Sequence, residues 1–230
     1  MKTVAFIFAR KGSKRIKNKN TKLLNGIPLI NHTLNFVKKI KYIDKVIIST
    51  NDQKIIDICK KKNFKNIIHR PESLASDKAD EFKSWKHGIK KFMKLNNNYD
   101  TFICLPLTSP LRKKEDLDSA YKLYKKKKLN LVVSICKTNH FPDFNMVSKS
   151  KDNKINLITK NYKDSTINRK KIYNLTTCFY IANIKYILKN KSINLNSKKI
   201  KGFEVSRESG IDIDDYFDFK VANFFLREKK

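Results

Sequence analysis

Thr3-Val4-Ala5-Phe6-Ile7-Phe8-Ala9-Arg10-Lys11-Gly12-Ser13-Lys14-Arg15-Ile16-Lys17-Asn18-Lys19-Asn20 is an apolar run that turns abruptly basic. Residues 3–8 carry aromatic and branched side chains without polar alternation, the pattern of a strand buried on both faces. A glycine-bearing loop follows at once. Parallel α/β sheets bind their ligands beyond the carboxyl ends of strands, where this loop falls. Gly12 permits close backbone approach to a ligand. Arg10, Lys14 and Lys19 have the charge to neutralise a polyphosphate, Arg10 in bidentate fashion. The glycine spacing matches neither a Walker A loop nor a dinucleotide fingerprint.

Working outward, helical patterns at 28–39, 52–62, 80–95 and 114–127 alternate with apolar runs at 46–50, 66–69, 101–105 and 131–136. This alternation predicts a mainly parallel sheet flanked by helices. From about 137 to 174 the chain is polar, with isolated apolar residues and no helical period, and is expected to be an inserted arm. The α/β pattern resumes with strands at 176–182 and 201–205 and a closing helix at 215–226. The 230 residues suit one domain, 1–230.

The formal charge is +31, with 52 basic and 21 acidic residues, which raises the question of nucleic-acid binding. The lysines, however, are spread along the chain among many asparagines and isoleucines, as A/T-rich coding produces. The runs 60–62 and 125–128 fall at predicted helix ends, where lysines suit the helix dipole. A nucleic-acid module would interleave exposed aromatics with basics, whereas most aromatics here lie in apolar runs. Cys59, Cys104, Cys136 and Cys178 form no C-x-x-C pair and read as reduced core residues, so neither disulfides nor zinc are expected and a cytoplasmic setting is. The N-terminal apolar run is too short for a signal peptide, and no segment could span a bilayer.

Three further motifs face the same expected sheet edge. Arg70-Pro71-Glu72-Ser73-Leu74-Ala75-Ser76-Asp77 is a turn-rich loop after the third strand. Leu105-Pro106-Leu107-Thr108-Ser109-Pro110-Leu111-Arg112 sets two hydroxyl residues between prolines after the fourth. In Gly210-Ile211-Asp212-Ile213-Asp214-Asp215, Asp212 and Asp214 are two apart and face one side of an extended chain. They could share a hard cation such as Mg²⁺, or form an acidic turn capping the last helix.

In this order the motifs resemble those of the acylneuraminate cytidylyltransferases, the CMP-sialic acid synthetases: A-R-x-G-S-K-x-x-x-x-K-N, R-P-x-x-L-A-x-D, L-Q-P-T-S-P-L-R, and D-I-D before an acidic helix. The resemblance covers nearly the whole chain. It implies a Rossmann-like nucleotidyltransferase fold with a small dimerisation arm, a homodimer, and transfer of CMP from CTP to the anomeric hydroxyl of a sialic-acid-like keto sugar acid with Mg²⁺ as cofactor. It implies that Ala9, Arg10, Gly12, Ser13, Lys14, Lys19 and Asn20 hold the nucleotide, with Arg70 and Ala79 at the cytosine. Asp212 and Asp214 would bind the metal, and Thr108 and Arg169 the sugar. Arg10, Lys14, Lys19, Asp212 and Asp214 would be the catalytic set. Three positions depart from the pattern. Pro106 replaces a glutamine, Glu81 a small hydroxyl residue, and Thr176-Thr177 an Asn-Gly pair. These departures fall on the expected sugar side. A 3-deoxy-octulosonate-type enzyme and, in a different class, a basic nucleic-acid-binding module are the alternatives.

Overall fold

The first strand, β1 (Thr3–Ala9), lies at the middle of the molecule, and its two faces organise everything else. The computed structural model describes residues 1–76, 79–94, 98–159 and 172–228. After the basic loop come a two-residue hairpin, β2 (Leu23–Leu24) and β3 (Ile27–Pro28), and helix α1 (Leu29–Val37). Then follow β4 (Lys45–Thr50), α2 (Gln53–Lys61), β5 (Ile67–His69), α3 (Glu81–Met93), β6 (Thr101–Cys104), α4 (Lys114–Lys126) and β7 (Leu131–Lys137). The chain continues through β8 (Val147–Lys149), β9 (Ile155–Leu157), β10 (Tyr173–Asn183), α5 (Ile184–Lys189), β11 (Ile200–Glu204) and α6 (Tyr216–Glu228).

The central sheet has seven strands in the order β11-β7-β10-β6-β1-β4-β5. Every neighbouring pair is parallel except those made by β10, which is antiparallel to both β6 and β7. The expected α/β class and mainly parallel sheet are therefore present. Period-two alternation sends Ala5, Ile7 and Ala9 to one face and Val4 and Phe6 to the other. The first face is covered by α1, α2 and α4 through Ile30, Leu34, Ile55, Leu117 and Tyr124. The second is covered by α3 and α5 through Phe82, Trp85, Ile89, Ile184 and Ile187. A third cluster, Ile16, Leu24, Leu29, Leu111, Ile213, Phe219 and Ala222, packs α6 against the root of the basic loop.

Local chemistry fixes the helix starts. Asp52 caps α2 by accepting from Lys54 N, and Asp80 caps α3 by accepting from Phe82 N. Pro28 precedes α1 as its cap residue rather than lying inside its first turn. All four cysteines are free and buried, as apolar fillers. The expected arm contains, among its described residues, the β8–β9 hairpin. No described helix is long and apolar enough to cross a membrane.

Candidate active site

β1 ends at Ala9, and the chain turns into a loop whose conformation is fixed from several sides. Gly12 has φ +84°, left-handed geometry that a side chain would strain. Asn51 Oδ1 accepts from Lys11 N at 2.8 Å, and Asn20 Nδ2 donates to the Arg10 carbonyl at 2.9 Å, closing the loop on itself. Ile16, fully buried in the third cluster, anchors the far side. The loop's polar groups are thereby turned toward two adjoining clefts. Arg10, Ser13 and Lys19 line both. Lys14, Arg15 and Asp214 line one of them, the cationic cleft. Asn20, Arg70, Ala79 and Thr108 line the other, the Arg70 cleft.

Lys19 joins this loop to the acidic segment 212–215. Its Nζ donates to Ile213 O at 2.7 Å, and Ile213 N donates to Thr108 O at 2.8 Å. The backbone between Asp212 and Asp214 is thus held from both sides, with Ile213 buried beneath. Burial lowers the Lys19 pKa, while the nearby charges of Asp214 and Asp212 oppose that fall. Asp212 Oδ1 is buried without a hydrogen-bond partner. Asp214 makes an ion pair with Arg15 at 3.2 Å, exposed on both sides and weak for that reason. The helix cap is supplied by other residues. Asp215 Oδ1 accepts from Phe217 N and Asp218 N, and Asp218 Oδ2 accepts from Asp214 N and Asp215 N. This reciprocal capping box leaves both carboxylates of Asp212 and Asp214 out of the helix start.

On the second wall, Arg70 is buried and already committed. Its Nε donates to Leu74 O at 2.6 Å and its Nη2 to Ser84 Oγ at 2.8 Å. It therefore shapes the cleft as much as it charges it. Arg112 is a buckle: from a buried position it donates to Cys178 O at 3.0 Å, Thr33 Oγ1 at 3.1 Å and Pro106 O, tying the proline loop to β10 and α1. Glu81 lies at the junction between the Arg70 cleft and an apolar neighbour lined by Trp85, Tyr180 and Ile193. It is open to solvent at the mouth, yet the walls around it raise its carboxyl pKa, burial first.

The structure thus brings Arg10, Ser13, Lys19, Asn20, Arg70, Ala79 and Thr108 to one cleft and Lys14 and Asp214 to its neighbour, with Asp212 beside Lys19. Arg169 lies outside the described residues. The cleft also takes in residues to which the motifs give no role: Phe8, Ser84, Leu107 and Thr177. Phe8 had a signal, since it continues the Val4–Phe6 face past the end of the core. Thr177 stood out only as a departure from the family pattern on the expected sugar side. It reaches the cleft because the β10–β7 pairing shifts register between Leu175 and Tyr180, a bulge that re-aims the strand. The Ser134 hydroxyl fills that break, accepting from Phe179 N and Thr176 Oγ1.

The N-acylneuraminate cytidylyltransferase of Escherichia coli O18:K1:H7 is 31% identical across all of this chain, which spans about half (53%) of that protein's length. The CMP-N,N'-diacetyllegionaminic acid synthase of Legionella pneumophila is 32% identical, over 96% of this chain and 95% of its own. Among solved structures, a CMP:2-keto-3-deoxy-manno-octonic acid synthetase complexed with CTP superposes with a TM-score of 0.74 over the full length of both chains. At 15% identity that likeness is one of fold, a nucleotidyltransferase-like Rossmann fold. A family model described as Cytidylyltransferase matches residues 4–218, and the chain belongs to that cytidylyltransferase family.

Proposed function

We propose that this protein transfers the cytidylyl group of CTP to the anomeric hydroxyl of a nonulosonic, sialic-acid-like keto sugar acid and releases pyrophosphate. The observation that carries the proposal is the Lys19–Ile213–Thr108 chain of hydrogen bonds, which ties the cationic loop to the segment bearing Asp212 and Asp214 where two clefts adjoin. Arg10, Lys14 and Lys19 hold the triphosphate and stabilise the departing pyrophosphate. Asn20 keeps the loop closed through its bond to the Arg10 carbonyl. Such transfers ask the protein for positioning and charge neutralisation above all.

Asp212 and Asp214 fit a Mg²⁺ ion that completes its shell with substrate phosphates. The buried, unpartnered Asp212 Oδ1 is an oxygen in want of a cation or donor, and among the described residues no group of three or more acidic, histidine or cysteine ligands forms a closed protein cage. When bound there, Mg²⁺ would offset charge on the α-phosphate and acidify the attacking hydroxyl. The backbone clamp on Ile213 keeps the two carboxylates in place for it.

The preferred acid differs from N-acetylneuraminate. Pro106 has no side-chain hydrogen bond to offer and no backbone N–H. A site that loses a buried partner discriminates strongly among ligands. The active unit is a homodimer built through the β8–β9 arm, and the enzyme works in the cytoplasm. A panel of N-acetylneuraminate, N,N'-diacetyllegionaminate, pseudaminate and 3-deoxy-octulosonate, each with CTP and Mg²⁺, tests the substrate. One of the second or third acids is expected to give the highest kcat/KM. A tenfold preference for N-acetylneuraminate, roughly 1.4 kcal/mol, would make Pro106 a neutral replacement. Preference for 3-deoxy-octulosonate would establish the alternative enzyme.

A further inference from the structure

Ser109 and Thr177 are paired behind the wall of the Arg70 cleft, their hydroxyl oxygens 2.7 Å apart. Ser109 is fully buried, and Thr177 lines the cleft beside Pro106, Leu107 and Thr108. A hydroxyl pair shares one hydrogen, so the partner that accepts keeps its own hydrogen for something else. Among the described residues Ser109 Oγ has no other acceptor. If Thr177 were the donor, the Ser109 hydrogen would be stranded in the interior, an arrangement native structures avoid. Ser109 is therefore the donor. The Thr177 oxygen accepts, and its own O–H is left to point into the cleft.

This arrangement is built by the fold. The β10–β7 register shift between Leu175 and Tyr180 rotates Thr177 toward the cleft. Ser134 saturates the backbone of the bulge, and Arg112 holds the loop that carries Ser109 to Cys178 O on β10. Thr177 lines the Arg70 cleft but not the adjoining cleft of Lys14, Arg15 and Asp214. The triphosphate is already claimed by the basic loop. We infer that Thr177, oriented by Ser109, is a substrate-binding donor that meets an oxygen acceptor on the sugar acid rather than on the nucleotide. The inference rests on the cytidylyl-transfer assignment above, and it gives a definite role to Thr177, one of the residues at which this chain departs from the family pattern.

The test separates the two substrates. Thr177→Val removes the hydroxyl at nearly constant shape, Thr177→Ser keeps it, and Ser109→Ala removes the group that orients it. KM and kcat are measured for CTP and for the best sugar acid, with thermal unfolding as the check on folding. Thr177→Val is expected to raise the sugar-acid KM by about tenfold with the CTP KM within about twofold. Thr177→Ser is expected to restore it, and Ser109→Ala to move it in the same direction by a smaller factor. An unchanged sugar-acid KM in a folded Thr177→Val, or an increase confined to CTP, overturns the assignment of Thr177. Ser109→Ala indistinguishable from wild type overturns the orienting role of Ser109. A wild-type protein that turns over no sugar acid with CTP overturns this inference together with the reaction beneath it.

Discussion

At the residue scale the central pair is Asp212 and Asp214. An acidic turn before a helix is ordinarily a cap, but here the cap is made by Asp215 and Asp218, so removing the other two charges does not unravel α6. Asp212→Asn and Asp214→Asn are each expected to lower turnover by about a hundredfold or more, since a cation ligand stabilises transition-state charge by several kcal/mol. Their unfolding midpoints are expected to stay near wild type. Pyrophosphate release and thermal unfolding check both, and near-normal rates in the two variants would reduce the pair to a solvated turn. Arg10, Lys14 and Lys19 stood out in the chain by residue type and by position after a strand, whereas Asp212 and Asp214 left a cation site and a helix cap both open until Asp215 and Asp218 were seen to make the cap. Thr177 stood out only as a departure from the family pattern, because its pairing depends on Ser109, 68 residues away, and on a bulge that no local pattern announces. Arg70, which the resemblance sets at the cytosine, is a brace as well, through its bonds to Leu74 O and Ser84 Oγ, and Arg112 braces the proline loop through Cys178 O.

At the scale of elements, the βαβ alternation was readable because each long strand is continuously apolar and each helix keeps an amphipathic period. Hairpins β2–β3 and β8–β9 and the six-residue α5 were missed, since two to six residues carry no measurable period. The bulge in β10 supplies a direct test of local energetics. Ser134, fully buried, accepts from Phe179 N at 3.2 Å and from Thr176 Oγ1 at 2.7 Å. Ser134→Ala strands a buried N–H and should destabilise the fold by about 1–3 kcal/mol in denaturant titration. An unchanged midpoint would mean that the strand re-pairs without the bulge. Helix α1 carries a pH signature. His32 Nε2 bonds Leu24 O at 2.9 Å, and burial lowers its pKa below the ordinary 6.5. Burial, with help from Lys91 and Arg70, also lowers that of His87. The unfolded chain therefore binds these protons more readily than the folded one, so stability is full above about 6.5 and falls as the pH drops toward the folded-state values. His32→Gln should flatten the slope of unfolding midpoint against pH between about 7.5 and 5. A slope unaltered by the substitution assigns the effect to other groups.

At the scale of the whole molecule, the large positive charge is accommodated rather than concentrated. Lys60 and Lys61 sit in the last turn of α2, and Lys125 and Lys126 in the last turn of α4, where the helix dipole favours them. The large aromatics are mostly core, with Phe6, Trp85, Phe102 and Phe179 fully or almost fully buried. Among the apolar groups the surface exposes are those of the hairpin arm: Val147, Ile155 and, just after it, Ile158 are 47%, 65% and 51% accessible. A patch of this kind on a charged molecule suits an isologous contact with a second copy. Light scattering at micromolar concentration is expected to give twice the monomer mass, and Ile155→Lys to shift it toward one. A wild-type monomer would contradict the dimer. The central claim is cytidylyl transfer directed by the loop 9–20 and the carboxylates at 212 and 214, and it is tested most directly by pyrophosphate release in the presence of Mg²⁺. The protein is incubated with CTP, UTP, ATP or GTP in turn, together with a nonulosonic acid. Release that depends on the acid and is confined to CTP is the predicted result. Equal release with ATP or GTP, or release from CTP that is indifferent to the acid, would contradict it.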